Sequence, residues 1–71
     1  MISPGLPLTP READVVTLVS EGLTNKEIAC ALGIAEHTVE HHVTHILQKI
    51  GATTRTQAAI AWMRRPGGEE A

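Results

Sequence analysis

Between residues 37 and 48 of this 71-residue chain, His37, Glu40, His41, Thr44, His45 and Gln48 recur at intervals of three and four. On a helix, that spacing gathers them onto one face. Two chemistries suit such a face. Imidazoles at i and i+4 can chelate a transition metal, and a row of donors and acceptors can read base edges in a major groove. The outer members of His37, His41 and His45 stand two turns apart, roughly 12 Å along the axis, so three cannot converge on one ion. A pair bridging two molecules is the remaining metal reading, and no cofactor is expected.

A helix must carry that row, and the local signals supply one. Residues 24–50 spell a short helix, a glycine turn at Gly33 and a longer amphipathic helix over about Glu36–Ile50, closed by Gly51. Val39, Val43, Ile46, Leu47 and Ile50 repeat at helical spacing opposite the polar row, a stripe to be buried. The short helix, about 25–32, starts on Thr24 with Glu27 closing a capping box, and Leu23 can staple to Ile28. Two helices joined by a tight turn are the common means by which a small domain lays one helix in the major groove of DNA.

Two further helices flank the pair. The first opens at Thr9-Pro10-Arg11-Glu12, where Thr9 caps, Pro10 suits the first helical position and Glu12 completes a capping box. Ala13, Val15, Val16, Leu18 and Val19 make its inward face, and Gly22 ends it. The last spans 54–65: Thr54 and Gln57 form a third capping box, Arg64 and Arg65 fill the final turn, and Pro66 stops it. Residues 1–7, with two prolines and a glycine, read as a flexible leader or linker, and residues 66–71 as a disordered tail. What remains, 8–65, is a single all-α domain near the lower size limit for an independent core.

Composition narrows the function. Hydrophobic residues make up 42% of the chain, enough for a core, and Trp62 is the sole aromatic. A core of Val, Ile, Leu and Ala favours close-packed helices and argues against single-stranded nucleic-acid binding by base stacking. The one cysteine, Cys30, excludes an internal disulfide and a cysteine-rich zinc site, which fits a cytoplasmic setting. It falls on the side of its helix away from Ile28 and Leu32, as a partly exposed, inert thiol. No apolar run is long enough for a membrane span, so no membrane partner is expected. Nucleophile–base pairs and a phosphate-cradling glycine loop are missing, and the expectation is no catalysis. The net charge of −2 runs against the basic character usual in a DNA binder. Pattern, not charge, points to DNA.

Leu8-Thr9-Pro10-Arg11-Glu12 and Glu21-Gly22-Leu23-Thr24-Asn25-Lys26-Glu27-Ile28-Ala29 resemble the LuxR-type (GerE, NarL/FixJ-like) DNA-binding domain. Leu32-Gly33-Ile34, Thr38-Val39, His42-Val43, Ile46, Lys49-Ile50 and Arg55-Thr56-Gln57-Ala58 continue the match in order, over residues 8 to about 63. The resemblance implies a four-helix helix-turn-helix domain, with the third helix as the recognition helix and the fourth as a two-fold dimer contact on DNA. It implies a transcription regulator, of the kind found in response regulators, with double-stranded DNA, a second copy of itself and RNA polymerase as partners. Carried over by position, the base-reading residues are Glu40, His41, Thr44, His45 and His37. The phosphate contacts are Thr24, Lys26, Thr38, His42, Lys49 and Arg55. The dimer contact falls to Ala58, Ala59 and Ala61, small enough for close approach, with Trp62 and Met63; Ile60 adds apolar surface.

The chain departs from the family at two places. Glu40 stands where Lys is frequent, so that a carboxylate faces the groove; it repels phosphate but can accept a hydrogen bond from cytosine N4. Ala35 stands where a Ser-like cap is usual, costing the third helix about 1 kcal/mol. Blander readings exist for the same residues. The polar face can be merely solvated, Lys26, Lys49 and Arg55 can be ordinary surface charges, and His42, at the edge of the buried stripe, can serve packing. Two rival functions share the pattern: a sigma region-four-like domain, and a helix-turn-helix retained for protein binding as an adaptor or anti-activator, which net acidity, Glu36 and Glu40 favour. Because imidazoles gain charge near pH 6.5, DNA binding is expected to be tighter and less selective at about pH 6 than at pH 8.

Overall fold

Threonine starts three of the four helices. In the computed structural model, which describes residues 7–66, α1 (Pro10–Ser20), α2 (Asn25–Leu32), α3 (Glu36–Ile50) and α4 (Arg55–Met63) follow in order. No strand occurs among the described residues. Thr9, Thr24 and Thr54 each accept from the backbone N–H three residues on, while Glu12, Glu27 and Gln57 accept from the cap N–H in return. These reciprocal bonds satisfy donors that a helix start leaves free. The beginning of α3 differs: Ala35 has extended backbone and makes no side-chain cap bond. The expected leader and tail fall outside the described residues, apart from Pro7 and Pro66.

Glycine closes α2 and α3. Gly33 and Gly51 sit in the left-handed region, at φ 70° and 79°, a conformation that costs other L-residues strain. Ile34 then donates to the Ala29 carbonyl at 3.0 Å, turning the chain from α2 into α3 within three residues. One boundary differs from expectation. α4 ends at Met63, with Arg64 as its cap and Arg65 outside, so neither arginine lies in the last helical turn. Pro66 supplies the reason, since proline disfavours helical backbone in the residue before it.

The core is a single cluster to which every helix contributes: Val15 and Val16 from α1, Ile28 and Ala29 from α2, Val39 and Ile46 from α3, and Ala58 from α4. Leu18, Leu23, Leu32, Ile34, Val43, Leu47, Ile50 and Trp62 pack around it, half-buried. Each fully buried Val or Ile contributes roughly 1.5–3 kcal/mol, which is what holds a two-turn helix such as α2 in place. α1 is the backing element, packed against α2, α3 and α4. The Trp62 indole N–H donates to Thr17 Oγ1 at 3.0 Å, fastening α4 to α1. Among the described residues no helix is long and apolar enough to cross a membrane.

Candidate nucleic-acid interface

The geometry of α3 follows from its two stripes. Val39 and Ile46 are buried and Val43, Leu47 and Ile50 half-buried, so the opposite side must face solvent. That side carries His37, Glu40, His41, Thr44, His45 and Gln48, all exposed. At 100° per residue they occupy roughly 140° of the helix circumference, a continuous strip about three turns long. All five base-reading candidates therefore lie together on one open face.

Their hydrogen-bonding capacities differ. Thr44 spends its hydroxyl proton on the Glu40 carbonyl at 3.0 Å, leaving its lone pairs as an acceptor. The Glu40 carboxylate also only accepts, and its Oε1 stands 3.8 Å from His37 Nδ1. The three imidazoles and the Gln48 amide bring donors as well as acceptors. The His37 and His41 ring centres lie 4.6 Å apart, and those of His41 and His45 6.4 Å apart. Among the described residues no three or more His, Cys, Asp or Glu groups are arranged to hold a metal ion.

The phosphate candidates divide into two groups. Thr24, Lys26 and Thr38 are exposed, and His42 is half-buried at the edge of the α3 stripe. Lys26 has no ion-pair partner among the described residues. The other two cations are occupied within the fold. Lys49 Nζ pairs with Glu12 Oε1 at 2.7 Å. Arg55 donates to Asn25 Oδ1 at 2.6 Å and to the Leu23 carbonyl at 2.9 Å, tying the start of α4 to the start of α2. Both side chains brace helices against one another.

Glu12 has a second role that its cap position does not reveal. It is 4% exposed, the one buried charged residue among those described. Burial pushes its carboxyl pKa up, but the Lys49 ammonium and the Thr9 amide and hydroxyl outweigh that, holding it below the usual carboxylate value. The signal was present in the spacing: Glu12, Val15, Val16 and Val19 fall at i, i+3, i+4 and i+7, placing the carboxylate within the apolar stripe of α1. Asn25 carries no comparable signal.

On α4 the structure corrects one expected contact. Ala58 is 2% exposed and faces the domain's own core, so its side chain offers no surface to a second copy. Ala59, Ala61 and Trp62 are half-buried, whereas Ile60 and Met63 are 44% and 56% exposed, the two large hydrophobic side chains left open among the described residues. They border a groove of about 540 Å³ with Thr17, Ser20, Arg64 and Arg65. The Arg65 guanidinium lies 3.5 Å above the Trp62 ring centre and also donates to the Trp62 carbonyl.

A short helix, a glycine turn and a longer helix with one buried and one open face, backed by α1 and α4, define a helix-turn-helix domain. The chain belongs to the luxR family of bacterial regulatory proteins, whose sequence pattern it matches over residues 6–62. It is similar to the probable HTH-type transcriptional regulator GfsR of Streptomyces halstedii, 42% identical over 69 residues, which are 97% of this chain and 28% of that protein. The chain thus spans little more than a quarter of that relative's length. Among solved structures it resembles the transcription factor GerE, with a TM-score of 0.75 at 35% identity over 80% of this chain and 85% of GerE. Vibrio cholerae VqmA, described as a dimer in the absence of its target DNA, matches with a TM-score of 0.81 at 32% identity, over 96% of this chain and 30% of VqmA. The fold and family are those the motifs predict, and the family is one of transcription regulators rather than enzymes.

Proposed function

We propose that this chain binds double-stranded DNA as the DNA-binding unit of a transcription regulator, with α3 in the major groove. One observation carries the reading: the strip from His37 to Gln48 is solvent-exposed along three turns, while the opposite side of the same helix is buried. A rod supported from behind and polar in front is what groove entry requires. Glu40 and Thr44 act as acceptors toward cytosine N4 or adenine N6, and His37, His41 and His45 as donors toward guanine or adenine N7. Thr24, Lys26, Thr38 and His42 hold phosphates; Lys49 and Arg55 reach them only with N–H groups not already committed. Two copies pair through α4, by Ile60 and Met63 with Ala59, Ala61 and Trp62 beside them.

Selection of bound duplexes from a random pool, in chelator-treated buffer, tests recognition, symmetry and half-site spacing together. The expected outcome is a near-palindromic site whose affinity falls as salt rises. His41→Ala should cost about 1–3 kcal/mol on that site and relax preference at one position of each half. Lys26→Ala should weaken all sequences alike and shallow the salt slope by about one. Enrichment of no sequence, with no salt-dependent binding to mixed duplex, rejects the proposal. That outcome favours the protein-binding reading, which draws support from the internal engagement of Lys49 and Arg55 and the net charge of −2.

A further inference from the structure

We propose that Glu12 is a positioning residue for DNA binding: it holds Lys49 as an internal counter-ion, so that this lysine meets phosphate as half of a neutral pair. The inference rests on the DNA-binding reading above and adds which cation is withheld from the backbone, and by what. Three cations align with phosphate contacts, and the fold treats them differently. Lys26 has no ion-pair partner among the described residues. Arg55 donates to Asn25 Oδ1 and to the Leu23 carbonyl, both uncharged, and so keeps its full charge. Of the three, Lys49 is the one set against a carboxylate, with Nζ 2.7 Å from Glu12 Oε1.

Burial makes the pairing one-sided. The Glu12 side chain is 5% exposed and that of Lys49 36% exposed. The same Oε1 also accepts the Thr9 N–H at 3.0 Å, which fixes the carboxylate at the start of α1. A phosphate that drew Lys49 away would leave Glu12 as a buried, uncompensated charge, while a phosphate left in water simply keeps its own counter-ions. Exchange of partners is therefore unfavourable, and the two charges stay cancelled as a duplex approaches. Affinity from counter-ion release grows with the number of phosphates neutralised, and a cancelled lysine adds little to it. An ammonium has three donors and Glu12 takes one, so Lys49 still offers N–H groups that fix register. Glu12 thereby limits sequence-independent attraction and leaves more of the binding to the α3 strip, where base edges are read.

The test is the salt dependence of binding to a mixed-sequence duplex. Glu12→Gln keeps an oxygen for the Thr9 N–H and Lys49 while removing the charge, and circular dichroism checks that the variant is folded. It should steepen the slope of log K against log salt by about one and raise affinity about three- to tenfold at roughly 0.1 M salt. Adding Lys49→Met to Glu12→Gln should return the slope to the wild-type value. Glu21→Gln removes an equal charge from the exposed end of α1 and should change affinity less than about twofold. A steeper slope that persists without Lys49, or an equal effect of Glu21→Gln, would overturn the proposal. So would weaker binding with an unchanged slope, which is what a purely structural role gives. A second measurement needs no variant: the Glu12 carboxyl carbon of the wild type should keep its NMR shift on saturation with duplex. Its displacement toward an unpaired carboxylate would also overturn the pairing. Salt-sensitive binding that Glu12→Gln leaves unaltered rejects the role of Glu12 alone. Binding of no duplex by the wild type or by Glu12→Gln rejects the DNA-binding reading, and this inference with it.

Discussion

α1, α2 and α4 each begin with a threonine and a reciprocal side chain three residues on, whereas α3 begins at Ala35 with nothing bound to its cap. The three capped helices end their starts locally, with bonds that form within four residues. α3 is instead held from the side, by Val39 and Ile46 in the core and by Lys49 on Glu12. The difference shows that two means of support operate here: every helix leans on the shared core, and the framing helices add a bond at their starts that the helix bearing the candidate interface lacks. An uncapped first turn beside His37 also leaves that end of α3 less constrained than the ends around it.

The largest test of this contrast is Ile46→Ala. Ile46 is 1% exposed, and its truncation should cost about 3 kcal/mol in denaturant unfolding. A loss below about 1 kcal/mol would mean that α3 does not depend on the core more than its neighbours depend on their caps.

Next comes Lys49→Met, which leaves the buried Glu12 carboxylate without its cation and should cost roughly 2–3 kcal/mol near neutral pH. The pH dependence gives the sign. In the wild type the folded Glu12 pKa lies below the ordinary 4.5, so its contribution is present above that value and fades as pH falls through the folded pKa. Without Lys49, only the Thr9 bonds oppose the burial cost, so the folded pKa rises relative to the wild type and acidification costs the variant less. The stability gap between the two proteins should therefore narrow from pH 6 to below pH 4, and a gap independent of pH would remove Glu12 as the link.

Thr24→Ala should cost about 1 kcal/mol, felt most in α2 because that helix has two turns to lose. The smallest effect is the reverse change at α3: Ala35→Ser should add about 0.5–1 kcal/mol and slow amide exchange in its first turn. Destabilisation by Ala35→Ser would show that the backbone there cannot use a cap.

Much of this architecture was legible one residue at a time. Thr9, Thr24 and Thr54 announce starts, Gly33 and Gly51 announce stops, and the spacing of Val39, Val43, Ile46 and Ile50 tells which side of α3 is hidden. Ala35 could be read as a missing cap, and no side-chain cap bond forms there. Arg64 and Arg65 misled because a cation after a helical run fits a last turn, while the constraint from Pro66 acts one residue earlier. Ala58 misled because a stripe of small residues marks close approach without telling whether the neighbour is another molecule or α1.

The sequence by itself determined where the helices begin, where α2 and α3 end, which face of α3 turns inward and which side chains compose the open strip, because those properties follow from interactions three or four residues apart. Tertiary structure alone decided what the cations do. Lys49 reaches Glu12 across 37 residues and Arg55 reaches Asn25 across 30. No local periodicity encodes such partners, since a long charged side chain settles wherever folding brings a carboxylate or carbonyl within reach. Of the three positive charges aligned with phosphate contacts, Lys26 is the one that packing left without an ion pair or hydrogen bond among the described residues.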